Sequence, residues 1–208
     1  MPRPAFDLYL VSDRKLTGGR DLLWVLEQAL EGGAPAIQLR EKDLSGRELF
    51  YLAEKTRKLC LDHRAALFVN DRIDVALAVD ADGVQLGNDS IGVAKARELL
   101  GQNKLIGAST HSFEEATAAE QSGADFILFG PVYFTASKAM YGAPQGLAAL
   151  EKIVQSVSVP VYAIGGIKLD NLAAVKAMDV HGVALISAVI AASEPKEATR
   201  RILEQLRR

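Results

Sequence analysis

Eight short apolar runs separated by amphipathic stretches, in a chain of 208 residues, predict an α/β fold. No linker, low-complexity tract or charge block interrupts that alternation, which favours one compact domain. Eight parallel strands with intervening helices can close on themselves. The expectation is therefore a single (β/α)8 barrel, the TIM-barrel architecture, over residues 1–208. An open doubly wound sheet, the rival architecture, usually needs fewer strands.

The apolar runs are 8–11, 36–39, 66–69, 83–86, 105–108, 126–129, 159–164 and 183–186. Most are rich in β-branched or aromatic residues and apolar at nearly every position, as strands buried on both faces are. Helix-like stretches lie between them. Residues 21–31 place Leu22, Val25, Leu26 and Ala29 on one face. Residues 45–61 open with Ser45 and Glu48, and residues 111–121 with Ser112 and Glu115, both the pattern of a capping box. Residues 169–177 carry Asp170 near their start, and 195–206 begin on Pro195, suited to a first turn. Glycines in Gly32-Gly33-Ala34, Asp82-Gly83, Gly123-Ala124 and His181-Gly182 precede strands, where helix C-caps are expected.

Composition excludes several classes. Hydrophobic residues make up 49% and charged residues 24%, too apolar for a disordered chain. The 24 Lys+Arg are balanced by 26 Asp+Glu, so no basic surplus points to nucleic acid. No apolar run reaches the length of a membrane span. The start, Met1-Pro2-Arg3-Pro4, leads straight into Leu8-Tyr9-Leu10-Val11 without the pattern of a secretory leader. The single cysteine, Cys60, has no partner for an internal disulfide or a zinc cage, so a cytoplasmic protein is expected.

A barrel of this kind carries its chemistry on the loops after the strands. The first strand is followed by Ser12-Asp13-Arg14, which reads as ordinary polar loop. After the second come Gln38-Leu39-Arg40-Glu41-Lys42-Asp43, and alternation places Gln38, Arg40 and Lys42 on one side. Two cations and an amide at one mouth call for an anion, although a solvated Arg–Glu pair would also suit the pattern. Asn70-Asp71-Arg72 follow the third strand, as helix caps or as ligands for a metal or a substrate amide. After the fourth, Gly87 reads as a close-approach glycine and Asn88, Asp89 and Ser90 as caps or ligands.

The fifth strand ends in Ser109-Thr110-His111, with His111 opening a helix as a neutral proton shuttle. His63 and His181 need only surface or packing roles. The sixth is followed by a loop reaching Gly146, long enough to serve as a lid. Thr135, Ser137 and Lys138 in it suit phosphate oxygens, Gly142 and Gly146 could act as hinges, and Tyr133, Phe134 and Tyr141 argue against full solvation. Gly165-Gly166 after the seventh strand and Ser187 after the eighth match a backbone phosphate pocket.

Together, Gln38-Leu39-Arg40-Glu41-Lys42, Val69-Asn70-Asp71-Arg72, Gly130-Pro131-Val132-Tyr133 with Thr135-Ala136-Ser137-Lys138, and Ala163-Ile164-Gly165-Gly166-Ile167 resemble the thiamine phosphate synthase family. The motifs keep their order from first strand to last. The resemblance implies a barrel that joins hydroxymethylpyrimidine diphosphate to a thiazole phosphate with Mg2+ and releases diphosphate. It implies that Gln38, Arg40, Lys42, Asn70 and Lys138 hold the pyrimidine diphosphate, and that Ser109 lies near its diphosphate. Thr135 and Ser137 would bind the thiazole phosphate, and Gly166, Ile186 and Ser187 would complete the pocket. Lys138, Ser109 and His111 are the catalytic candidates.

For the metal the resemblance implies Asp71 and, in the fourth-strand motif Gly-Gln-x-Asp, a second aspartate. Here the stretch is Gly87-Asn88-Asp89-Ser90, so a serine stands at that position, and Asp89, one residue early, is the second metal ligand expected beside Asp71. A related branch of the same fold aromatises a thiazole phosphate carboxylate without metal, and His111 would be its acid–base residue. A silent phosphate-ligand binder is the third alternative. The synthase is preferred because Gln38, Arg40, Lys42, Asn70 and Asp71 are all present. The partners expected are small phosphorylated substrates, not nucleic acid or membrane, and a homodimer stays open.

Overall fold

The computed structural model describes residues 4–135 and 143–208. Eight strands, β1 (Leu8–Val11), β2 (Ala36–Leu39), β3 (Ala66–Asn70), β4 (Gly83–Leu86), β5 (Leu105–Thr110), β6 (Phe126–Phe129), β7 (Val161–Ile164) and β8 (Gly182–Leu185), form the sheet. Each pairs in parallel with the next, and β8 pairs with β1, so the sheet is a closed barrel. The helices are α1 (Leu22–Glu31), α2 (Gly46–Asp62), α3 (Ile73–Ala78), α4 (Val93–Leu100), α5 (Phe113–Gln121), α6 (Gly146–Ser156), α7 (Leu172–Lys176), α8 (Ser187–Ile190) and α9 (Pro195–Arg207).

Both faces of the strands are apolar because each has its own core. Outward residues such as Leu10, Ile37, Leu67, Val84 and Ile106 pack under helix faces that include Val25, Leu26 and Ala53. Inward residues form a second cluster around Phe6, Tyr9, Phe68, Phe126 and Tyr162. These rings meet at centroid separations from 5.1 to 6.3 Å, several of them edge-on. A barrel of eight strands has room for such rings only where neighbouring positions are small. A Cβ on Gly83 would come within 2.8 Å of Phe68, one on Gly107 within 2.5 Å of Phe126, and one on Gly182 within 2.8 Å of Tyr162.

Gly83 and Gly182 are thus strand residues that make space, and they do not cap the preceding helices as expected. The left-handed turn residues there are Asp80 (φ 51°) and Asp179 (φ 56°). Gly33 and Gly123, with φ of 96° and 92°, do hold the return to the sheet. The seventh strand begins later than its apolar run because Pro160 has no N–H to donate, although its carbonyl accepts from Ile127 at 2.9 Å. The eighth is shifted one residue towards its start, which leaves Ile186 beyond it.

Helix starts follow their caps. Asp21 accepts from Trp24 N–H, and Ser45 and Glu48 form the full capping box. At α5 only half of the box forms. Ser112 accepts from Glu115 N–H, but the Glu115 carboxylate turns back to His111 N–H at 2.6 Å. Helix α7 is shorter than residues 169–177, since Asn171 is engaged by Lys168 N–H in the preceding turn. No helix among the described residues is long and apolar enough to cross a membrane.

Cys60 lies on the buried face of α2, and burial pushes its thiol up to about 12. The native protein should therefore resist iodoacetamide at pH 8 and react once unfolded in urea, as counted by mass spectrometry.

Candidate active site

At the carboxyl ends of the strands, the inward positions above the aromatic layer divide into two halves. Gln38 on β2, Asn70 on β3, Gln85 on β4 and Ser109 on β5 supply polar groups. Val11, Leu128 and Ile164, with Ile186 just beyond β8, supply an apolar wall on the other side. Register explains the grouping: Gln38 lies beside Phe68, Asn70 beside Gln85, and Gln85 beside Gly107. The chain thus brings Gln38, Asn70 and Ser109 together, as their strand positions imply.

Gln85 is a member that the motifs did not single out. It is 1% exposed, and its Nε2 donates to Ser109 Oγ at 3.0 Å. The signal was present: a polar residue at an inward position of the otherwise apolar Gly83-Val84-Gln85-Leu86.

The loop after β1 is not idle either. Ser12 Oγ donates to Glu41 Oε1 at 2.6 Å and accepts from Arg40 N–H at 2.9 Å. Arg14 donates its backbone N–H to both Glu41 oxygens at 3.2 Å, and its guanidinium to Glu41 and Asp43 at 3.1 and 2.6 Å. Arg14 and Lys15 hold the Asp43 carboxyl well below the usual carboxylate range. The buried Glu41 thus pairs with Arg14 and not with Arg40. Among the described residues, no side chain is hydrogen-bonded to the partly buried Arg40 guanidinium.

Asp71 adopts a left-handed conformation (φ 61°), which aspartate tolerates better than most residues. Its Oδ2 is 4.0 Å from Lys42 Nζ. Its Oδ1 accepts from Ser90 Oγ and, at 3.4 Å, from Gly87 N–H, which also donates to Ser90 Oγ at 2.7 Å. Asn88 and Asp89 are exposed on the same turn, so the residue that touches Asp71 is Ser90. A Cβ on Gly87 would stand 3.8 Å from Ser90, so the chain's own packing does not require glycine there.

Among the described residues, no three His, Cys, Asp or Glu side chains converge on a metal-binding position. One carboxylate and one hydroxyl suit a hard cation such as Mg2+ that takes its remaining oxygens from water and from a phosphorylated substrate.

His111 precedes α5 as the residue before its cap, so it does not open the helix. Its Nδ1 lies 3.3 Å from Glu115, whose other oxygen accepts from Asn88 at 3.2 Å. His63 and His181 are exposed, the latter against the Tyr162 ring.

The loop after β6 is pinned at its base. Val132 and Tyr133 N–H donate to Ile164 and Gly165 carbonyls at 2.9 and 3.0 Å, and Gly146 N–H donates to Val132 at 3.1 Å. Gly165 and Gly166 carry φ of 99° and 67°, and a Cβ on either would fall within 2.7 Å of Pro131 or Tyr133. These glycines therefore let the two loops close on each other. Tyr133 packs on the core, as an incompletely solvated loop implies, whereas Phe134 is 67% exposed. Thr135 is the last described residue on this side of the loop. Ser137, Lys138, Tyr141 and Gly142 lie outside the described residues. Ile186 caps α8 and Ser187 begins it, exposed at the rim.

The model of the family described as thiamine monophosphate synthase matches residues 8–189. A Geobacter sulfurreducens relative is 50% identical over 206 residues, 99% of this chain and 97% of its own. The thiamine-phosphate synthase of Moorella thermoacetica is 46% identical over 205 residues, 99% of this chain and 98% of that protein. Among solved structures, thiamine phosphate pyrophosphorylase from Pyrococcus furiosus superposes with a TM-score of 0.89 at 42% identity, covering 97% of this chain and 96% of that one. The chain belongs to the thiamine monophosphate synthase family.

Proposed function

We propose that this chain is a thiamine-phosphate synthase, a cytoplasmic transferase that couples hydroxymethylpyrimidine diphosphate to hydroxyethylthiazole phosphate. The observation that carries the reading is the polar half of the mouth, where Lys42 Nζ lies 4.0 Å from Asp71 and no side chain among the described residues pairs with the Arg40 guanidinium. Cations placed this way need an anion to answer them. The bond that breaks joins the pyrimidine methylene to diphosphate, which leaves with the electron pair. The thiazole ring nitrogen supplies the pair for the new carbon–nitrogen bond.

Gln38 and Asn70 orient the pyrimidine, while Arg40, Lys42, Ser109 and Lys138 take up the charge that grows on the departing diphosphate. Thr135, Ser137, Gly166, Ile186 and Ser187 hold the thiazole phosphate. Asp71 and Ser90 would hold Mg2+, with Asp89 one residue away, and the bound ion supplies positive charge to the leaving group.

Purified protein given both precursors and Mg2+ should form thiamine phosphate, and His111→Ala should retain most of that activity. The tautomerase reading is favoured by the His111–Glu115 contact, and it requires instead metal-independent aromatisation that His111→Ala abolishes.

Ser90→Asp provides a test of the metal position. A second carboxylate beside Asp71 should tighten Mg2+ binding about tenfold in calorimetry, because affinity follows ligand charge. Without metal the two carboxylates repel, so Tm should fall and should recover on adding Mg2+. Unchanged Mg2+ affinity would place the ion elsewhere.

A further inference from the structure

We propose that Gln85 is a positioning residue that fixes the Ser109 hydroxyl as a hydrogen-bond donor towards the diphosphate of the substrate. Three observations converge on it. The side chain is buried, with Nε2 donating to Ser109 Oγ at 3.0 Å. Its Oε1 is buried without a hydrogen-bond partner. The amide occupies space that Gly107 leaves open: a Cβ there would come within 2.3 Å of Oε1 and 2.5 Å of the Phe126 ring.

A hydroxyl has one proton and two acceptor sites. Once Oγ accepts from Gln85, its single proton must go elsewhere, and the open direction is the mouth. Turned over, the amide would draw that proton to itself and leave Nε2, with both hydrogens, unpartnered over Gly107. An unpaired buried carbonyl is the more common compromise in folded proteins. The amide therefore accepts an orphaned oxygen in the floor in return for a hydroxyl aimed at an anion.

The backbone of Gln85 reinforces the placement. Its carbonyl accepts from Asn70 Nδ2 and from Asp71 N–H, both at 3.0 Å. One residue thus contacts three groups assigned to the same half of the site, and only the Ser109 contact depends on the side chain. This inference rests on the proposed function for the direction in which Ser109 points.

The experiment is a double-mutant cycle on the full chain, read by calorimetric titration with inorganic diphosphate in saturating Mg2+. Ser109→Ala should weaken binding about tenfold, as loss of a charge-assisted donor does. Gln85→Leu should weaken it roughly three- to tenfold, and the double variant should bind no more weakly than Ser109→Ala alone. A double variant weaker by the full factor that Gln85→Leu shows alone overturns the proposal, as does wild-type affinity in Gln85→Leu. Gln85→Met, which fills the space without branching, gives the same decision if leucine disturbs folding.

In turnover, Gln85→Leu should raise KM for the pyrimidine diphosphate and leave KM for the thiazole phosphate unchanged. A fall in kcat with both KM values unaltered marks a merely structural loss and overturns the assignment. Wild-type protein that binds no diphosphate would overturn both this inference and the orientation assumed for Ser109. Wild-type protein that binds diphosphate but makes no product contradicts the proposed function alone, and the cycle still decides on Gln85.

Discussion

Asp71→Asn should lower turnover by on the order of 10²–10³-fold while leaving the fold intact. Asparagine keeps the shape of the side chain and is at home in the left-handed conformation that residue 71 adopts. What it removes is the charge that faces Lys42 and accepts from Ser90. Asp71→Ala should show a similar loss of rate together with lower stability, because alanine is strained at φ 61° by about 1–2 kcal/mol. Steady-state rates and urea unfolding curves on the two variants separate these effects. Turnover of Asp71→Asn within tenfold of wild type would remove Asp71 from the reacting end of the site.

Arg97→Ala should cost about 3–5 kcal/mol of stability, the largest effect expected outside the mouth. Arg97 pairs with Asp125, whose side chain is 3% exposed, and Asp125 Oδ2 also accepts from Ile106 N–H at 2.7 Å. Removing the guanidinium strands a buried carboxylate that still ties the start of β6 to β5. The same device recurs two repeats earlier: Asp82 accepts from Leu67 N–H at 2.8 Å and pairs with Arg57 at 2.7 Å. There the carboxylate is 39% exposed, so Arg57→Ala should cost considerably less. These pairs lie at the end of the barrel away from the site. Below the unfolding transition, kcat of Arg97→Ala should match that of the wild type. A midpoint of urea unfolding unchanged from wild type would count against this account of the pair.

The barrel was legible because burial on both faces leaves a plain mark, a continuous apolar run. Six of the eight runs begin where their strands begin, and the two that do not are shifted by Pro160 and by the space-making Gly182. Helices announced by a side-chain cap, such as Asp21 and Ser45, were equally plain. Short ones without such a cap, including α3 and α8, left no pattern strong enough to read.

In the site, alternation along β2 placed Gln38 inside and correctly separated Glu41 from it. The partner of Glu41 was not readable, because Ser12 and Arg14 reach it across a separation of 29 and 27 residues. Gly165-Gly166 illustrates a second limit. Paired glycines signal a backbone that something approaches closely, and here the approaching group includes the chain's own Pro131 and Tyr133. Ser90 illustrates a third: sequence offered Asp89 as the nearest carboxylate, but the turn brings the hydroxyl of Ser90 onto Asp71.

The most direct test is the stoichiometry of one reaction mixture containing the purified protein, both phosphorylated precursors and Mg2+. Diphosphate and thiamine phosphate should accumulate in equal amounts, with neither formed when the thiazole phosphate is omitted. Diphosphate released without the thiazole phosphate, or no product at high enzyme concentration, would contradict a synthase assembled around Arg40, Lys42 and Asp71.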